Sequence, residues 1–148
     1  MIRWVPTTVV LAIHDEQIAE HGGLAGVRDL NTLESALARP KNRLAYGNPK
    51  PDLATLAAAY AFGIARKQAF VEGNKRTAAA VTETFLALNG VVLAASDAEI
   101  VQVWSALGAG NLSEAVLANW IKERIKKMAM PRSFQPKRGR RQVKRGPR

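Results

Sequence analysis

With 148 residues and no cysteine, the chain has the size of one ordinary domain and must stabilise its core by packing alone, which excludes disulfides and Cys-ligated zinc and suits a reducing compartment. Its formal charge of +10 is concentrated at the end: residues 131–148 hold eight cations and no acid, and subtracting these from the 22 Lys/Arg leaves 14 against 12 Asp/Glu. The chain therefore divides into a nearly neutral body, 1–130, and a basic tail, 131–148, which is too poor in apolar residues to offset its chain entropy and is expected to be disordered.

The opening MIRWVPTTVVLAIHDEQ returns to charge too early for a secretory signal, and no segment is apolar for long enough to span a bilayer. A soluble, cytoplasmic protein without membrane association is expected. A 3.6-residue apolar period recurs through the body, without a rival run of strict alternation, and predicts an all-α domain of six helices. The first helix spans 8–20, with Val10, Leu11, His14 and Ile18 near one face, and stops at Gly22 and Gly23. His14 reads as an inward, hydrogen-bonded histidine, and His21 as a helix-end residue facing the dipole.

The second helix is expected to start at NTLE, with Asn31 as cap and Glu34 three residues on, and to end before Pro40. PKNRLAYGNPK then reads as a surface excursion of a length that often carries function. Pro51 and Asp52 open the third helix, whose stripe of Leu53, Leu56, Ala57, Tyr60 and Ile64 faces the core. The fourth helix, 74–88, directs Ala78, Val81, Thr82, Phe85 and Leu86 inward, reads as the central helix, and ends at Asn89-Gly90. After a short extended VVL at 91–93, SDAE caps a fifth helix that buries Ile100, Val103, Trp104 and Leu107. The sixth, 113–127, offers Leu117, Trp120, Ile121 and Ile125.

The chemistry concentrates in QAFVEGNKRTAAA, residues 68–80. A helix start exposes N–H groups without partners and carries partial positive charge, so anions settle there. Gly73 allows close approach of backbone to a ligand, Asn74 caps the helix or reaches a phosphate oxygen, and Lys75 and Arg76 add full charges in the same turn. Glu72 is placed to hold Mg²⁺, which takes one or two carboxylates beside substrate oxygens. On composition alone the run reads first as an ordinary helix start with a solvated cationic face.

The run from Gln68 to Ala78 resembles the signature His-x-Phe-x-Asp-Gly/Ala-Asn-Lys-Arg-Thr-Ala of the Doc (death-on-curing) branch of the Fic/Doc family, and LAIHDEQIAEHGGLAGVRD and LESAL resemble the same branch's N-terminal part. The resemblance extends over residues 8–127 and implies a compact six-helix fold. It also implies a toxin of a toxin–antitoxin module. ATP or another nucleoside triphosphate, with Mg²⁺, would supply a phosphate, or a nucleotidyl group as in Fic relatives, to a Ser/Thr hydroxyl of a target protein such as a translation elongation factor. Lys75, following Asn74, favours the phosphate.

By the same resemblance Phe70 anchors the loop, Gly73, Asn74, Lys75 and Arg76 bind phosphates, and Glu72 stands at the family's metal-binding Asp. Arg66 matches an arginine often seen in the branch, and a small antitoxin is the implied partner. Gln68 departs from the pattern. It stands where the family's histidine takes the proton of the attacking hydroxyl, a step worth about 10²–10⁴-fold. A carboxamide orients a hydroxyl but has no basic nitrogen. Two alternatives follow: a catalytically silent member that binds nucleotide or antitoxin, and a nucleic-acid binder using the tail. For the latter, eight cations supply salt-dependent contacts, while Phe134 is the tail's one ring for base stacking.

Overall fold

The computed structural model describes residues 1–129, so the basic tail expected at 131–148 lies outside the described residues. The chain order is α1 (Thr7–His21), α2 (Leu30–Tyr46), α3 (Leu53–Lys67), α4 (Asn74–Leu88), β1 (Val91–Leu93), α5 (Asp97–Gly108), α6 (Glu114–Arg124) and β2 (Ile125–Lys127). The all-α class and the six helices agree with the periodicity of the sequence. Among the described residues no helix is long and apolar enough to cross a membrane.

The central element is α3, not α4 as the sequence suggested. Ten of its residues are buried, including Leu56, Tyr60, Ile64 and a run of alanines. α2, α4, α5 and α6 all pack on it. A helix that is apolar on every side belongs in the middle of a bundle, and here alanine side chains leave room for neighbours to approach closely. At Gly63 the approach is closest: a Cβ there would lie 3.1 Å from the Ala36 carbonyl oxygen and 3.1 Å from Arg39 Cδ.

α2 departs most from expectation. Its cap is Asp29, whose carboxylate accepts from the Thr32 N–H at 3.2 Å, and the helix passes through Pro40 to Tyr46. Pro40 has no N–H to give the carbonyl of Ala36, four residues earlier, and that carbonyl is the one turned toward Gly63. Tertiary packing thus carries α2 past a residue that locally opposes it. The excursion expected from 39 to 51 shrinks to the turn between Tyr46 and Leu53. A cleft of about 420 Å³ lies there, lined by Arg39, Asn42, Arg43, Tyr46 and Gly47, and Glu114 pairs with both of its arginines.

The other ends follow local rules. Asp52 caps α3 by accepting from the Thr55 N–H at 2.8 Å and hydroxyl at 2.7 Å, and the Thr55 hydroxyl is the chief cause of its lowered pKa. Ser96 and Glu99 form the capping box on α5. α6 is shorter than expected: residues 125–127 leave the helix and pair antiparallel with β1, Val91 opposite Lys127. The pairing gives β1 partners for backbone groups that would otherwise lack them. Trp4, Tyr60 and Phe85 form an aromatic cluster, and the Tyr60 hydroxyl accepts from the Val5 N–H at 3.1 Å, tying the N-terminal segment across α3 and α4.

Candidate functional site

α3 ends at Gln68, which adopts φ 54° and ψ 52°, the left-handed conformation that turns the chain out of a helix. Its side chain is exposed. Its carbonyl accepts from Arg28 Nε at 3.0 Å, and the Lys67 carbonyl accepts from Arg28 Nη2 at 3.3 Å. A cation from another segment thereby neutralises the negative end of α3. The next residues run beside the α1–α2 connection: the Ala69 carbonyl accepts from the N–H groups of Arg28 at 2.7 Å and Asp29 at 3.1 Å, and the Val71 N–H donates to Gly26. Nothing local in the sequence marks Arg28; its role arises from this pairing.

Phe70 anchors the loop, as its place in the motif suggested. It is 1% exposed and stacks on His14 with ring centroids 3.9 Å apart. His14, buried as expected, has Nε2 2.7 Å from the Glu72 carbonyl oxygen. A carbonyl only accepts, so Nε2 carries the proton and is not a base toward substrate at that atom. One aromatic pair therefore holds the loop by its side chain and by its main chain.

Asn74 serves the loop as well. Its Oδ1 accepts from the Phe70 N–H at 3.0 Å, and its Nδ2 donates to the Phe70 carbonyl at 3.0 Å. Both polar atoms of the Asn74 amide are thus engaged with the main chain of Phe70, a role beside the cap and the phosphate contact that the sequence suggested. The sequence could not separate these roles, because a cap, a clasp and a phosphate ligand use the same amide.

Gly73 stands before α4 at φ 79°, and a Cβ there would lie 3.1 Å from Ile18 Cδ1 and 3.6 Å from His14 Nε2. The positive φ favours glycine here, and a side chain would also crowd the end of Ile18. No side chain caps α4, whereas Asp29, Asp52, Ser96 and Ser113 cap α2, α3, α5 and α6. The first-turn N–H groups of Asn74, Lys75 and Arg76 thus remain available to an anion. They open on a cleft of about 410 Å³ lined by Gly73, Asn74, Lys75 and Arg76 on one side and Val101, Trp104 and Ser105 of α5 on the other. The sequence marked Trp104 only as a core residue; its place in the cleft wall depends on how α5 docks.

Glu72 and Arg76 both reach back to the turn after α1. Glu72 Oε1 accepts from the Leu24 N–H at 2.7 Å, and Arg76 Nη2 donates to the Gly22 carbonyl at 3.0 Å. Gly23 lies between them, and a Cβ there would sit 2.9 Å from Glu72 Oε1. The described residues contain no group of three or more His, Cys, Asp or Glu side chains able to hold a metal ion. A cation at Glu72 would use its remaining oxygen with substrate oxygens, a donor set that suits Mg²⁺. Arg66 turns elsewhere, toward Gly110, where a Cβ would lie 3.3 Å from Nη1. The structure thus gathers Gly73 to Arg76 at one cleft, keeps Glu72 at its rim loop, and leaves Gln68 at the other end of the same loop.

Fold and site together define a helical domain in which a clasped loop delivers an uncapped, cationic helix start to a cleft. A sequence profile of the Fic/DOC family matches residues 4–86, and the chain belongs to that family. Among similar proteins is one named Toxin Doc, from Mycolicibacterium smegmatis, 47% identical over 74 residues, which cover 50% of this chain and 57% of that protein. Another is named Protein kinase doc, from Escherichia phage P1, 36% identical over 90 residues, covering 61% of this chain and 71% of the phage protein. The alignment with the M. smegmatis protein therefore spans less than two thirds of that relative's length.

Proposed function

We propose that this chain is a Doc-type toxin of a toxin–antitoxin module that binds the phosphates of a nucleoside triphosphate at the start of α4. It transfers a phosphate to a Ser/Thr hydroxyl of a cytoplasmic target protein, a translation elongation factor being the class implied by the family resemblance. The observation that carries this reading is the uncapped first turn of α4, with Lys75 and Arg76, at the mouth of the 410 Å³ cleft. The names of the two relatives, toxin and protein kinase, support it.

The chemistry asked of the chain is mainly positioning. A transferred phosphoryl group passes through a loose transition state with charge spread over its outer oxygens. Fixed N–H groups at the start of α4 stabilise that charge without reorganising, with Lys75 adding a full positive charge, and Arg76 joins them on leaving its bond to the Gly22 carbonyl. The free oxygen of Glu72 would hold Mg²⁺, which would supply positive charge to the phosphates. Gln68 orients the attacking hydroxyl by hydrogen bonding and does not take its proton, so turnover is expected to be about 10²–10⁴-fold below that of a histidine-bearing relative. A small antitoxin, laid as a helix in a groove, is the proposed protein partner.

A second reading, a silent member that binds nucleotide or antitoxin without turnover, is favoured by one specific feature: the group at the base position is a carboxamide. Labelled ATP separates the two when the protein is incubated with Mg²⁺ and a bacterial extract. Label from the γ-phosphate on a protein band supports phosphoryl transfer, and label from the α-phosphate supports nucleotidyl transfer. ATP binding without any labelled band, in several divalent metals, overturns the catalytic reading. Toxicity that rises on Gln68→His, alone or with Glu72→Asp, supports the silent or weakened site, and equal toxicity of both forms refutes a role for Gln68. Retention of the chain on DNA or RNA that is unchanged by removing residues 131–148 disposes of the nucleic-acid reading.

A further inference from the structure

The cleft wall of α5 is a single helical stripe. Val101, Trp104 and Ser105 line it, and the next position at the same spacing is Gly108, the last residue of the helix. The first three present side chains to the cleft; Gly108 presents none, and the alkyl chain of Lys75 occupies the space. A Cβ at Gly108 would lie 2.5 Å from Lys75 Cγ, closer still to Cδ, and 3.4 Å from Cε. The side chain of Lys75 therefore crosses α5 through a slot that the missing Cβ leaves open.

Local backbone does not account for this glycine. It is absent from the residues of positive φ, and the cap that follows is Ala109, with φ −79°. With helical, negative-φ backbone, this last-turn position would accept a residue with a side chain. Among the described residues Lys75 also forms no ion pair. Its stem lies in the slot at the last turn of α5. The same turn receives a second cation at Gly110, where φ is +84° and the Arg66 guanidinium comes within 3.3 Å of a Cβ position.

We propose that Gly108 is a positioning residue for Lys75: its lack of a side chain sets the path of the lysine and hence where the ammonium meets a bound phosphate. The proposal rests on the phosphate-binding reading of Lys75 given above. Gly108→Ala fills the slot with a methyl group that the flexible lysine can escape by changing rotamer, so the fold survives while the ammonium moves away.

The test is a double-mutant cycle on Mg-ATP affinity, measured by calorimetry, with melting temperatures taken in parallel. Lys75→Ala is expected to weaken ATP about tenfold or more, the effect of losing a hydrogen bond to a charged group. Gly108→Ala is expected to weaken ATP several-fold with no fall in melting temperature, and to add nothing in the Lys75→Ala background, where the slot is empty. A Gly108→Ala protein that binds ATP like the parent, or effects that multiply in the double variant, overturns the proposal. If Gly108→Ala alone unfolds, recovery of folding in the double variant supports the slot, and continued unfolding refutes it. Lys75→Ala with unchanged ATP affinity would instead bring down the phosphate reading itself, so the two failures are distinguishable.

Discussion

Replacing Asn74 by alanine should destabilise the protein in the absence of any nucleotide. The side chain makes two hydrogen bonds of 3.0 Å, one to the N–H and one to the carbonyl of Phe70, in partly buried surroundings. Each such bond contributes roughly 0.5–1.5 kcal/mol net. Their joint loss is therefore about 2 kcal/mol, equivalent to roughly 4–8 °C in melting temperature for a domain of this size. The cost reaches the site as well: Phe70 stacks on His14, and His14 in turn holds the Glu72 carbonyl. Urea denaturation of the parent and Asn74→Ala, without ligand, measures the stability difference directly. An unchanged midpoint in the apo protein, with ATP affinity alone reduced, would refute the clasp and restore Asn74 as a direct phosphate ligand. A lower midpoint in the absence of nucleotide is the result the geometry requires.

Gly63→Ala should cost about 1–3 kcal/mol by overpacking α3 against α2, since the added methyl meets the rigid Ala36 carbonyl at 3.1 Å; denaturant titration checks this. Arg28→Ala should lower stability by about 1 kcal/mol and speed proteolysis of the loop at 68–71, because the carbonyls of Lys67 and Gln68 lose their donors. Glu83, though exposed, has its pKa raised, first by desolvation from the surrounding protein and then by the nearby Asp97 carboxylate. The folded protein therefore holds this proton more tightly than the unfolded chain does. The resulting penalty on stability is present above the raised folded-state pKa, and disappears as pH falls below the ordinary glutamate value. Glu83→Gln should raise the melting temperature at neutral pH, with the gain fading in acid; a gain that is constant with pH would contradict this cause.

The helices legible in the sequence were those whose ends carry their own chemistry. Asp52, Ser96 and Ser113 accept from N–H groups three residues on, a local contact that sequence spacing specifies. α2 was misread because its two decisive features are not local: Asp29 had to win over Asn31 as cap, and Pro40 had to be tolerated. Residues 125–127 leave α6 for a strand because β1 needs a partner, which a helical period does not reveal. At the site, the run from Glu72 to Arg76 was visible as a charged helix start, and Phe70 as an apolar anchor. Arg28, Trp104 and Gly108 carried no signal, since each acquires its role from a neighbour far along the chain.

The sequence by itself determined the helical class and the position of a glycine-led, cationic helix start, which depend on residue chemistry and on spacings within a single turn; that Gln68 stands where a base is expected is what the resemblance to the Doc branch implies. Only the tertiary structure decided how those groups are used. It gave Asn74 to Phe70, turned Glu72 and Arg76 toward the turn after α1, and left the N–H groups of α4 facing a cleft whose second wall is α5. The physical reason is that a polar side chain has several possible partners of similar strength, and which of them lies within 3 Å is settled by packing.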